Sequence, residues 1–502
     1  MKRSPLPQRL SFRDAAFANF ERDAFPMHVG SVGIYAGRVP FPRFLAHVGR
    51  RIQLVRRYRQ RLVEVPWSLH YPAWVEDPHF DLRHHVTTLT LPPPGSDQQL
   101  MRLAAEVFAT PLRRDRPLWQ VRLVEGLSGG RTAHIAKVHH CLVDGVAGVD
   151  LLGALLDPTP EPRHVRRRAR PATPPLPGPL TLTADALFDR ALDEIRRNEG
   201  LALDLLDPAR ATARIGAIAR ALWAAGPYLV VPAQTTPWRM RLQAPGRLAW
   251  QSLPFDDVRG VATALGGTIN DLALTLIASG LARYLAHEGV RLDGRVVRAA
   301  LPVNVRRGEH ANSLGNRISF MLAGLPVGVA GARERFRIIH DEVAALKEQR
   351  QAAGIEELMD LLGDLPPALH AFTGRTLTLP NLLTNLICTN VAGPLQPLYL
   401  LGHRMEHHYP WVPLGWRMGL SVAIMSYHTG LYFAVTADRK TPGDIDLITA
   451  GIGDAFDELR AATTVPEPYR KTPSAPAPAA HAAPARRTPV RAQAAAGAHP
   501  AP

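Results

Sequence analysis

Residues 158–182 read PTPEPRHVRRRARPATPPLPGPLTL. Proline fixes φ and removes a backbone donor, so a stretch this rich in it is a linker rather than the inside of a helix or sheet. It divides the chain. On both sides the apolar residues alternate between strand spacing and helix spacing. A chain of 502 residues also exceeds what a single core holds, so two α/β domains are expected. We place them at residues 1–157 and 246–464, joined by a Pro/Arg-rich linker and amphipathic helices over 158–245. Residues 465–502 are nearly all Ala, Pro and Arg without periodicity, the composition of a disordered tail.

In the first half, Leu45, Val48, Ile52, Val55, Tyr58 and Leu62 share one face of a helix predicted over 41–63, with arginines opposite. Ser96 is the expected N-cap of a helix in SDQQLMRLAAEVFATPL. LWQVRLVEGL and RTAHIAKVHH read as two strands joined by the turn SGG. The second strand runs straight into HHCLVDG, after which GVAGVDLLGALLD takes helical spacing. In the second half, TINDLALTLIASGLARYLAHEG reads as a helix and VVRAALPVNV, NRISFMLAGLP and LYFAVTAD as strands.

Composition narrows the function. Hydrophobic residues make up 46% and charged residues 21%, which is ordinary for a chain with real cores. No run approaches the ~18 apolar residues of a membrane span. The N-terminus lacks the apolar core of a signal peptide. Two cysteines provide neither a disulfide framework nor a four-cysteine metal cluster. A cytoplasmic protein is expected. The net charge of +15 calls for an anionic partner. Nucleic acid is the weakest candidate, since no zinc-finger, helix-turn-helix or RNA-binding signature is present. A phosphate-bearing cofactor or an acidic membrane surface remains.

The sequence HHCLVDG carries the chemistry. A histidine doublet alone is cheap here, because His84–His85 and His407–His408 are doublets too, and neither precedes a DG. Those two are expected to be surface or satisfied histidines. Adjacent strand residues point to opposite faces, so His139 and His140 are poorly placed to hold one metal ion; no metal site is expected. A general base fits better, with one histidine facing the substrate and the other the framework behind it. Asp144 then fixes the turn or pairs with an arginine, and Gly145 keeps the approach open. Cys141 is expected to pack beneath the loop rather than act as a nucleophile. In TIND, Thr268 and Asp271 form a capping-box pattern, which leaves Asn270 as the better candidate to support the site. Trp119 is expected in the core.

HHCLVDG matches the HHxxxDG motif of the coenzyme A-dependent acyltransferase superfamily. Around it stand PMHVG at 26–30, DRPLWQVRLVEGL at 115–127, GGTINDLAL at 266–274, LPVNVR at 301–306, LGNRISFMLAGLP at 314–326 and TNVAGP at 389–394. In this order the blocks resemble the bacterial wax ester synthase / diacylglycerol acyltransferase family over residues 8–464. The resemblance implies two similar chloramphenicol-acetyltransferase-like α/β domains with a channel between them and the motif at its middle. It implies acyl-CoA as co-substrate, no further cofactor, and diacylglycerol or a long-chain alcohol as acceptor. It implies His140 as general base, with no covalent acyl-enzyme and Asp144 structural. The chain departs from the family at Cys141, where a small alanine is common, and in its long tail.

Two other readings stand beside this one: the same fold drawing its acyl group from a carrier protein, and a non-catalytic lipid-surface protein, against which the intact His140, Asp144 and Gly145 argue. Insoluble acceptors imply work at the inner membrane or at lipid inclusions. The run RHVRRRAR at 163–170 and the amphipathic stretch around 211–231, with Leu222, Trp223 and Tyr228, are the candidate surface contacts.

Overall fold

The computed structural model describes residues 8–142, 151–166, 175–209, 231–239, 242–304, 318–349, 351–363, 366–376 and 383–463, with isolated positions between 212 and 226. Asp144, Gly145, Arg167, Arg168, Leu222, Trp223, Tyr228 and the tail lie outside the described residues.

Fourteen strands are described: β1 His28–Tyr35, β2 Gln60–Val63, β3 Ala73–Glu76, β4 Val86–Thr90, β5 Trp119–Glu125, β6 Thr132–His139, β7 Pro245–Pro254, β8 Val297–Asn304, β9 Ile318–Leu325, β10 Leu386–Ala392, β11 Tyr399–Leu400, β12 His403–Trp411, β13 Leu420–Tyr427 and β14 Gly430–Asp438. They form two six-stranded mixed sheets, β11-β12-β1-β6-β5-β4 and β7-β14-β13-β10-β8-β9, and a hairpin of β2 and β3. The helices are α1 Phe12–Phe20, α2 Phe41–Arg51, α3 Asp97–Ala109, α4 Leu151–Leu155, α5 Pro179–Leu206, α6 Phe255–Ala264, α7 Ile269–His287, α8 Ala332–Glu348, α9 Gln351–Gly363, α10 Pro367–Thr376 and α11 Asp446–Ala462.

The strand that delivers the motif is central and wholly buried. All eight residues of β6, TAHIAKVH, are sealed from solvent. One face packs under Leu100, Val107 and Phe108 of α3. The other joins Val121, Leu123 and Phe44 in a second cluster. Half of its residues, Thr132, His134, Lys137 and His139, are polar, so its burial on both faces comes from the packing around it rather than from an apolar run. In the second sheet, α7 is apolar all round and buried along most of its length, as a helix packed on both sides must be. Among the described residues no single helix is long and apolar enough to cross a membrane; one bent pair, α6 with α7, has the composition. Both of its members contribute to the core of the second sheet.

Three features differ from the sequence reading. The helix predicted over 41–63 ends at Arg51, and the chain passes through two 3₁₀ turns into β2. Val55, with an extended backbone at φ −121°, separates the turns, so the apolar spacing outlasts the helix. The expected boundary between halves is crossed by β12, which lies in the first sheet and pairs with β1 from Gly30↔Trp411 to Tyr35↔Met405. The sheets meet there: Tyr409 stacks on Trp250 of β7 at 4.4 Å, and the Tyr427 hydroxyl donates to the Met405 carbonyl at 3.0 Å. Finally, His408 is neither a surface residue nor satisfied, because it is buried with both ring nitrogens unpartnered. The other doublet behaves as expected: His84 is exposed, while His85 is stacked on Trp119 with Nδ1 at 2.9 Å from that residue's carbonyl.

Candidate active site

β6 ends at His139, and residues His140–Leu142 form a single 3₁₀ turn. The turn sets the two histidines in different surroundings. His139 is sealed, 1% exposed. The Cys141 N–H donates to its Nδ1 at 3.1 Å, so Nδ1 presents its lone pair and the neutral ring carries its proton on Nε2. Nε2 lies 3.3 Å from Glu21 Oε1. His140 is half-buried, and its N–H donates to the Met27 carbonyl at 2.8 Å. Its ring stacks face to face on Phe17 of α1, centroids 3.7 Å apart and 13° from parallel. Nδ1 of His140 is buried without a hydrogen-bond partner. Burial, with the neighbouring His139, holds the ring down to about 4 against a contact with its own backbone carbonyl. At neutral pH His140 is therefore an uncharged imidazole, able to accept a proton.

Glu21 closes α1 at its C-terminal end. Burial would raise its carboxyl, but the His139 contact, the Met27 N–H and Arg114 outweigh that and hold it down to about 2. It remains a carboxylate at any working pH. Arg114 donates to Oε2 at 3.0 and 3.2 Å and to the Ala18 carbonyl at 2.5 Å, which fixes α1 and with it Phe17.

Behind the pair, His28 stands directly opposite His139 in the β1–β6 register. It is fully buried and stacked on Trp411 at 4.7 Å, and both its ring nitrogens are unpartnered. Desolvation and then the charge of Lys137 keep it neutral. Lys137, two residues before His139, donates to the carbonyls of Val107 and Thr110 and so caps α3. Burial lowers its ammonium to about 7. The glycine of PMHVG follows from packing: a Cβ on Gly30 would lie 2.3 Å from the Ala136 carbonyl oxygen and 2.6 Å from Phe108 Cε1.

The other expected residues fall as follows. Cys141 is buried, with its sulfur 2.9 Å from His139 Nδ1 and its thiol pushed well above the ordinary range by desolvation, conditions that suppress a thiolate nucleophile. Trp119 is core, its indole N–H donating to the Tyr58 carbonyl. Thr268 and Asp271 form the capping box, and Asp271 also meets His340 at 3.0 Å. Asn270 accepts from Asn390 at 3.3 Å, joining the start of α7 to β10 within TNVAGP. No hydrogen bond links it to His139 or His140 among the described residues. Among those residues no cluster of three or more His, Cys, Asp or Glu could hold a metal ion. Sequence reasoning missed Glu21, Arg114, Phe17 and Met27. Only Met27 lies in a recognised block, and Glu21 reaches His139 across more than a hundred residues of chain.

The wax ester synthase/diacylglycerol acyltransferase catalytic domain matches residues 10–273, and the WS/DGAT C-terminal domain matches residues 314–460. Proteins named as diacylglycerol O-acyltransferases from Mycobacterium bovis and Mycobacterium tuberculosis are 32% identical over 444 residues, covering 86% of this chain and 91% of theirs. Among solved structures, the wax ester synthase/diacylglycerol acyltransferase of Marinobacter aquaeolei superposes with a TM-score of 0.63 at 24% identity, over 91% of this chain and 99% of that one. The first condensation domain of the CDA synthetase shares the two-domain fold at a TM-score of 0.55 and 16% identity, over 92% and 98% of the two chains. The chain belongs to the wax ester synthase/diacylglycerol acyltransferase family and is an acyltransferase.

Proposed function

We propose that the chain is an acyl-CoA-dependent O-acyltransferase that esterifies diacylglycerol, a long-chain alcohol, or both, giving triacylglycerol or wax ester. The observation that carries this reading is His140: neutral, half-buried, and held by its backbone and by Phe17 at the end of a buried central strand. In the proposed reaction His140 takes the proton of the acceptor hydroxyl as its oxygen attacks the thioester carbonyl. The tetrahedral intermediate then collapses, the carbon–sulfur bond breaks, and the proton on the imidazolium passes to the departing thiolate. The acyl group moves directly to the acceptor, with no covalent acyl-enzyme; Cys141 is sealed away from that role. Asp144 and Gly145 complete the motif in sequence, Asp144 as an orienting group.

The acceptors are nearly insoluble, so the enzyme works as a peripheral protein at the cytoplasmic face of the membrane or on lipid inclusions. The net charge of +15 supports attraction to an anionic leaflet. Of the basic run at 163–170, Arg163 is already engaged with Asp157 at 2.9 Å. Reversing Arg166, Arg167 and Arg168 to Glu is therefore the test of salt-dependent vesicle binding.

The deciding assay pairs palmitoyl-CoA or an acyl-carrier protein with a panel of diacylglycerol and fatty alcohols. Transfer from the carrier alone would overturn the donor assignment. His140→Ala is expected to lose ~10²–10⁴-fold in turnover while folding normally, the usual contribution of a positioned base. Near-normal turnover would overturn the base assignment.

A further inference from the structure

We propose that Glu21 is a positioning residue for acyl transfer: one carboxylate oxygen sets the tautomer of His139 and, through Met27, the backbone position of His140. The inference rests on the reading of His140 as the base.

Glu21 Oε1 accepts the Met27 N–H at 3.1 Å and lies 3.3 Å from His139 Nε2, an electrostatic contact in which that buried nitrogen makes no formed hydrogen bond. Met27 in turn presents its carbonyl to the His140 N–H at 2.8 Å. A single residue thus relays Glu21 to the backbone of the base. On the other side, the Cys141 N–H occupies Nδ1 of His139. A neutral ring in the opposite tautomer would set two N–H groups against each other there and turn a lone pair toward a carboxylate. Glu21 and the Cys141 N–H together favour the tautomer that avoids both conflicts, and the oriented ring then holds the Cys141 backbone immediately after His140. His140 is bracketed by two neighbours whose positions depend on the same carboxylate. Arg114 satisfies the remaining oxygen, so the buried charge is paired and hydrogen-bonded, as its 6% exposure requires.

A fold-stapling role for the Arg114–Glu21 pair would use the same residues, so the test must separate the two. Glu21→Gln keeps an acceptor for Met27 but loses the charge. It is expected to lower kcat roughly 10–100-fold, the loss typical of a group that orients a histidine from behind, with KM for both substrates little changed. In a double-mutant cycle with His139→Gln, positioning predicts that Glu21→Gln adds almost nothing once His139 is gone. Stapling predicts that the two losses multiply, and that result would overturn the proposal. A ¹⁵N-histidine spectrum gives an independent reading: the wild type should show His139 protonated at Nε2, and the variant a mixture of tautomers. An unchanged tautomer in the variant would equally overturn it. If Glu21→Gln does not fold, Glu21→Asp, which retains the charge but withdraws it from His139 by one methylene, enters the same cycle. An active His140→Ala would instead sink the underlying base assignment and is scored separately.

Discussion

Asp157 ends the first half of the chain, and replacing it by asparagine tests how the two halves are joined. Its carboxylate is 1% exposed and accepts Arg51 Nη2 at 2.7 and 2.8 Å. Arg51 is equally buried, and its Nη1 also reaches the carbonyls of Ala154, Leu155 and Leu156, at 3.3, 3.3 and 3.5 Å. The guanidinium therefore caps α4, the helix that follows the motif. The Asp157 backbone exchanges two hydrogen bonds with Tyr399, at 2.8 and 2.9 Å, where β11 enters the first sheet. Asp157→Asn leaves those backbone bonds intact and removes only the charge. Breaking one side of a buried pair costs ~3–5 kcal/mol, because the remaining ion is left uncompensated. Arg163, whose side chain is 53% exposed, can swing into water, which favours the lower end of that range. At about 3 kcal/mol, and ~2–4 °C per kcal/mol for a domain of this size, the melting temperature should fall by roughly 6–12 °C. Burial raises the Asp157 carboxyl, but the hydrogen bonds from Arg51 and Arg163 outweigh it and hold it below its ordinary value. The contribution is thus present above the unfolded pKa of ~3.9 and lost as pH falls through the folded value, so wild type and variant should converge in acid. Circular dichroism melts at pH 7 in low and high salt provide the assay. A buried pair is poorly screened, so the difference should survive 1 M salt, on the order of a 3 Å Debye length. A change of under about 1 °C, or one that salt abolishes, would refute the reasoning that a buried pair of this kind is costly to break.

Two further outcomes are expected. Because burial holds His140 down to about 4, the acid limb of kcat/KM should lie well below the ordinary histidine value, with activity nearly flat across neutral pH; a limb between pH 6 and 7 would contradict it. His85, His134 and His408 are likewise lowered by burial, to about 4, 3 and 4, so the stability they contribute is complete above ~6.5 and is lost as pH falls through those values. The limb must accordingly be read in brief pH-jump assays, with acid unfolding followed separately by tryptophan fluorescence. Gly280→Ala offers a contest of signs: helix propensity alone predicts a gain of about 1 kcal/mol. A Cβ there would lie 2.3 Å from the Ile448 carbonyl oxygen where α7 crosses α11, and backbone cannot easily give way. A net loss of ~1–3 kcal/mol is expected in denaturant titration; a stabilised variant would show that the crossing relaxes.

What the chain declares in sequence is local. Ser96 with Gln99 and Thr268 with Asp271 close capping boxes within three residues, so both helix starts are legible from neighbours alone. The largely apolar run of α7 announces that it is buried along most of its length, and the HHCLVDG block announces its family. Periodicity reports that a side chain is buried, but not against what. Whether β12 pairs within its own half or with β1 depends on how two distant cores fit, and no spacing between Gly30 and Trp411 records that choice. The same limit hid Glu21. Its role arises from β1 lying beside β6, which puts Met27 against His140 and the end of α1 against His139. Nor could sequence separate His85, paired with the Trp119 carbonyl, from His408, buried with no partner, since both stand second in a doublet. Local sequence determined the elements and the chemical groups; tertiary packing determined which groups meet, because a contact between residues far apart in the chain is selected by the free energy of the whole core rather than by either segment.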